Sequence, residues 1–192
     1  MVVKNLKVSN LIYMPPLPWH EVEHAILKEE RWLQEVFDFG PYAHKDESPI
    51  PPNLSNDKML RQIAIAIVNG TIQAKEIRSS EENGLWLGTD NTAGLLEANE
   101  RHGGHWHQSM MSIVKQHFVN TGFEVINEPY LSLGRADLGV YKDGCPDLFV
   151  EIGTTSLFKT WFNTKTMSDS VFLFVPTTDY AVELKTSTIT KH

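Results

Sequence analysis

The feature that most constrains this chain is a series of short apolar segments in its last half, each bounded by turn residues. Phe123 to Glu128, Arg135 to Tyr141 and Leu148 to Ile152 read as three strands, and Lys142-Asp143-Gly144-Cys145-Pro146 supplies the turn of an antiparallel hairpin between the last two. Upstream, Met110, Met111, Val114 and Phe118 recur at helical spacing from about His105 to Thr121, and Gly122 stops that helix. Downstream, Ser156 to Thr166 reads as a helix with Leu157, Trp161 and Phe162 inward. Val171 to Val175 is a buried strand closed by Pro176, and Tyr180 to Leu184 is an added edge strand. The order αβββαβ predicts an α/β fold.

The first half is helical by the same reasoning. Val22, Ile26, Leu33, Val36 and Phe37 mark a helix from Trp19 to Phe39, with Pro18 at its start and Gly40-Pro41 at its end. The polar, proline-rich segment Pro41 to Ser55 is read as an exposed connection. Leu60, Ile63, Ala64, Ile67 and Val68 then mark a second helix, Asn56 to Val68, capped by Gly70, and Thr71 to Arg78 is expected to form a further short helix. Ile67 to Ile77 resembles the turn of a helix-turn-helix, whose recognition helix would be Asn91 to Arg101. That stretch offers little to DNA, since Ser55 to Arg101 holds five Lys or Arg against seven Asp or Glu. Three regions follow: 1–54, a helix and linker; 55–101, a helical region; and 102–192, the α/β domain.

Composition narrows the function. At 192 residues and 41% hydrophobic the chain can bury a core. A single cysteine, Cys145, excludes an internal disulfide and CxxC chemistry and suggests a reducing compartment. The longest apolar stretch, Ile63 to Val68, falls far short of the ~20 residues of a membrane span. Met1 to Pro18 lacks the continuous apolar stretch of a secretory signal, so the expectation is a cytoplasmic protein without membrane partners. A net charge of −7 argues against general coating of nucleic acid, so any such contact should be local or helped by a protein partner. Signatures of nucleoside triphosphate, dinucleotide and serine-hydrolase sites are missing from the sequence.

Two acids are misplaced for a merely structural sheet. Asp137 lies between Ala136 and Leu138 in the second strand, and Glu151 lies in the apolar run Phe149-Val150-Glu151-Ile152-Gly153. Burying a carboxylate is costly unless it is paired, hydrogen-bonded or bound to metal. Fourteen residues apart on adjoining hairpin strands, the two can point to one side and converge. Two hard oxygen ligands with room for water suit Mg2+ or Mn2+, which can activate water and neutralise charge on a phosphodiester. The plainer alternative is that Asp137 accepts a hydrogen bond from Arg135 or a nearby backbone group.

The helix ending in Gly122-Phe123-Glu124-Val125, then Glu128, the string GRADLGVY and the string DLFVEIGTT together resemble the PD-(D/E)XK nuclease superfamily. The resemblance covers roughly His102 to Leu184 and implies a restriction-endonuclease-like αβββαβ core with a mixed central sheet. It further implies that Asp137 and Glu151 bind the divalent cation, and that DNA is cut to leave a 5′-phosphate. The superfamily's lysine two residues after the second acid is replaced here by Gly153. Some members place it on the following helix, where Lys159 is the nearest candidate and Lys165 the next.

In that reading the Ile152 carbonyl is a further metal ligand, Glu128 lines the cleft, and His107 touches substrate phosphate or the attacking water. The innocent alternatives are an exposed loop acid for Glu128, a helix-surface lysine for Lys159, and a solvated helix-start cluster for His102, His105 and His107. The expected activity is therefore Mg2+- or Mn2+-dependent hydrolysis of double-stranded DNA, by a monomer, a homodimer or a protein complex. Its rivals are a catalytically idle binding module, favoured by Gly153, and a helix-turn-helix regulator.

Overall fold

A computed structural model describes residues 18–37, 54–78, 104–176 and 180–187. The helices are α1 (Trp19–Val36), α2 (Asn56–Val68), α3 (His105–Asn120) and α4 (Leu157–Thr166). The strands are β1 (Ile72–Arg78), β2 (Glu124–Asn127), β3 (Leu138–Tyr141), β4 (Asp147–Ile152), β5 (Ser170–Val175) and β6 (Tyr180–Thr186). All six strands join one mixed sheet in the order β1-β6-β5-β4-β3-β2. Only β4 and β5 run parallel, and α4 makes the crossover that a parallel pair requires.

Alternation of side chains along each strand divides the interior into two cores. Phe149, Phe172, Phe174, Val182 and Leu184 pack with buried residues of α1, α2 and α4. Leu138, Val140, Val150, Leu173 and Val175 pack with Met110 and Val114 of α3. Helices on both faces explain why every residue of β5 is buried and why its sequence, Ser-Val-Phe-Leu-Phe-Val, scarcely alternates in polarity. Ser55 and Ser156 cap α2 and α4, each side chain accepting the backbone N–H three residues on. Arg61 of α2 reaches Glu23 at 2.7 Å and Glu30 at 3.4 Å on α1, tying the two helices at their surface.

Two expectations are corrected. Thr71 to Arg78 is not a helix: Ile72–Arg78 is an edge strand paired antiparallel with β6 along its whole length. Gly70, at φ +79°, and Asn69, whose Oδ1 accepts the Thr71 N–H at 2.9 Å, turn the chain out of α2. The ladder with β6 then overrides the helix-favouring Gln, Ala, Lys and Glu. Tyr180 to Leu184, expected at an edge, instead belongs to an interior strand, because β1 covers it. Residues 55–101 and 102–192, taken from the sequence as separate regions, thus share a sheet. The linker up to residue 53 and the stretch Asn91 to Arg101 lie outside the described residues.

Candidate active site

The site lies where β3 begins and β4 ends. Asp137 was expected inside a strand but precedes β3. Its N–H donates to the Val150 carbonyl at 3.0 Å, and its own carbonyl accepts the Glu128 N–H at 3.0 Å. The physical reason for the displaced strand start is the side chain: Asp137 Oδ2 accepts the Ile152 N–H at 2.6 Å. With Leu138 opposite Val150, a continued ladder would have offered that N–H a backbone carbonyl. The carboxylate takes the ladder's place, and β3 and β4 part at this point. Asp137 Oδ1 faces His107 Nε2 at 3.3 Å. His107 sits in the first turn of α3, on the stripe that continues through buried Met110 and Val114.

Glu151 is the deepest acid of the site, 9% exposed. Burial pushes its carboxyl up to about 7, the Lys159 ammonium opposes that rise, and the negative charge of Asp137 adds to it. Lys159 Nζ lies 2.7 Å from Glu151 Oε1 and donates to Oε2 at 2.9 Å. The same ammonium donates to the Arg135 carbonyl, two residues before Asp137. One cation therefore bridges the end of β4 to the segment that carries the other acid.

The backbone explains why lysine is absent at position 153. Gly153 follows directly on β4, donates its N–H to the Val175 carbonyl at 2.8 Å, and has φ +83°, a conformation that side-chain-bearing residues rarely adopt. A lysine there would be strained. The charge arrives from the first turn of α4 instead, where the Ser156 cap holds the Lys159 N–H at 3.3 Å. Lys165 has a different setting: its ammonium lies 4.9 Å from the centroid of the Trp161 ring.

Among the sequence-predicted residues, Asp137 contacts His107 and the N–H of Ile152, the residue whose carbonyl was expected to act, and Glu151 contacts Lys159. Glu128 joins through its backbone only; its exposed carboxylate pairs with Arg135 at 3.2 Å. His105 is exposed, and His102 lies outside the described residues. The partners of the two acids come from opposite faces of the sheet, His107 from α3 and Lys159 from α4. The charge of Asp137 is near enough to perturb Glu151.

Sequence reasoning missed Asn163. Its Nδ2 donates to the Leu133 carbonyl at 2.9 Å, and its Oδ1 accepts the Leu133 N–H at 2.8 Å. Lying four residues after Lys159, it shares that residue's helix face, and the two hold the β2–β3 connection from one side. An asparagine at that spacing from a candidate lysine was the available signal.

Among the described residues, no three His, Cys, Asp or Glu side chains are grouped to hold a metal ion. Mg2+ needs fewer, being commonly held by one or two carboxylates with water and phosphate oxygens completing the set. The Lys159 ammonium meets the charge of Glu151. No described helix is long and apolar enough to cross a membrane. No family model, curated protein or solved structure matches this chain significantly.

Proposed function

We propose that this protein is a divalent-metal-dependent nuclease that hydrolyses phosphodiester bonds of DNA. The observation that carries the reading is the Lys159 ammonium, held on Glu151 at 2.7 Å and on the backbone beside Asp137. A buried acid, a second acid just before the neighbouring strand and a lysine supplied by the next helix are the three groups such hydrolysis needs. The order α3-β2-β3-β4-α4-β5, with the two helices on opposite faces, also supports a restriction-endonuclease-like core.

Asp137 and Glu151 would hold Mg2+ or Mn2+, with the Ile152 carbonyl as a further ligand, and the ion would supply Lewis-acid stabilisation of charge on the phosphate. The chain's own groups do the rest. Lys159 orients the attacking water and stabilises negative charge as water adds to phosphorus and the P–O3′ bond breaks. His107 fixes the rotamer of Asp137 through Oδ1, while the Ile152 N–H fixes Oδ2. Purified protein incubated with plasmid and linear DNA in Mn2+ or Mg2+ tests this. Nicking that disappears in Asp137→Ala, Glu151→Ala and Lys159→Met is the expected result, and unchanged cleavage by Glu151→Ala removes the assignment.

A second reading has its own support. Both oxygens of Glu151 contact the Lys159 ammonium, Asp137 Oδ2 accepts the Ile152 N–H, and Asp137 Oδ1 faces His107, so each acid has a partner from the chain itself. DNA retention without metal-dependent nicking would assign the chain to this non-cleaving class.

A further inference from the structure

The β2–β3 connection is held far more firmly than a surface loop requires. Tyr130 and Arg135 form an isolated antiparallel bridge, the Leu131 N–H donates to the Gly134 carbonyl at 3.0 Å, and the Ala136 N–H donates to the Pro129 carbonyl at 3.1 Å. Asn163 grips Leu133 through both of its amide atoms, and Lys159 grips the Arg135 carbonyl. What this rigid arm presents to solvent is a tyrosine ring: Tyr130 is 76% exposed. The Arg135 guanidinium lies 4.4 Å from the ring centroid, covering one face, and also donates to the Tyr130 hydroxyl and to Glu128 at 3.2 Å. Most of the ring is exposed. Two residues further along the chain is Asp137.

Resting on the nuclease reading above, we infer that Tyr130 and Arg135 form a docking platform for an unpaired nucleotide beside the scissile phosphate. The preferred substrate is then a single-stranded or locally unpaired nucleic acid rather than a continuous duplex. An aromatic ring fixed in water has already lost its conformational freedom, so a partner that stacks on it gains contact without a further ordering cost. Every nucleobase has a π-face that can use such a ring whatever its sequence. Inside a duplex both faces of each base are covered by neighbours, so an open ring finds a partner only where a base is unpaired. Arg135, paired with Glu128 and held against the ring, keeps Tyr130 in one position.

The test is fluorescence anisotropy with a labelled oligonucleotide, single-stranded or annealed into a blunt duplex, in EDTA so that no strand is cut. The parent chain should prefer the single strand. Tyr130→Ala should weaken that binding roughly 5- to 100-fold and leave duplex binding within about twofold, whereas Tyr130→Trp should retain single-strand affinity. Unchanged thermal melting of the variants shows that the arm alone is affected. Equal single-strand affinity of the parent and Tyr130→Ala, a parent preference for duplex, or no binding to either oligonucleotide overturns the platform. Metal-dependent cutting of duplex by a chain indifferent to single strands would overturn it while leaving the nuclease reading intact. Single-strand binding through Tyr130 without cleavage in either metal would support the platform and remove the nuclease.

Discussion

Replacing Lys159 with methionine removes the cation but keeps most of the stem, and its effect on stability should depend on pH in a way fixed by Glu151. In the folded parent the Glu151 carboxyl is pushed up to about 7 from an ordinary value of 4.5. The folded chain therefore holds that proton more tightly than the unfolded chain does. Stability from this group is present at low pH, declines as pH rises from 4.5 towards 7, and stays flat above. The ammonium opposes the rise, so in Lys159→Met the carboxyl goes higher still and the decline continues past pH 7. Each pH unit in that window is worth roughly tenfold in the folding constant. From pH 7 to pH 8.5 the variant should therefore lose stability relative to the parent, by at most ~2 kcal/mol.

The lost bond to the Arg135 carbonyl is common to every pH and sets only the baseline difference. Urea unfolding of the parent and variant at pH 6 and pH 8.5 reads the effect as a change in midpoint. The control is Lys159→Met combined with Glu151→Gln, which should remove the growth of the difference with pH. A difference between the parent and Lys159→Met that is the same at both pH values would refute the reasoning.

Two further substitutions probe the frame around the site. Gly153→Ala, at φ +83°, should cost about 1–2 kcal/mol in urea unfolding, because an L side chain is disfavoured in that conformation; an unchanged midpoint would contradict the left-handed turn after β4. Asn163→Leu leaves both backbone groups of Leu133 without their partner at a 1% exposed position and should cost about 2–4 kcal/mol. In the same variant, amide exchange of Leu133 should accelerate far more than that of Leu173 in the middle of the sheet. Equal acceleration at both would show that the clamp is not local.

Much of the site was legible because burial of charge leaves a mark in sequence. Glu151 stood out in an apolar run, and the structure gives the reason: the last four residues of β4 are buried, so a polar side chain among them needs a dedicated partner. Lys159 could be nominated from the helix that follows, and it is the residue that meets Glu151. The strand ends were less legible. Asp137 uses its side chain to replace a backbone acceptor, so a segment that reads as continuous strand from Arg135 begins at Leu138.

Ile72–Arg78 failed for a complementary reason. Its residues favour helix locally, and only pairing with β6, more than a hundred residues away, makes it a strand. The Tyr130–Arg135 arm left no periodic signal, because it is held by contacts between loop backbone and helix side chains.

The central claim is that Asp137 and Glu151 serve one cation. Titrating Mn2+ into the intact protein at pH 8, followed by the electron paramagnetic resonance of the free ion, measures this directly. The account predicts one site per chain that is abolished by Asp137→Asn and by Glu151→Gln separately. Full Mn2+ binding in either single variant, or none in the parent, would contradict it.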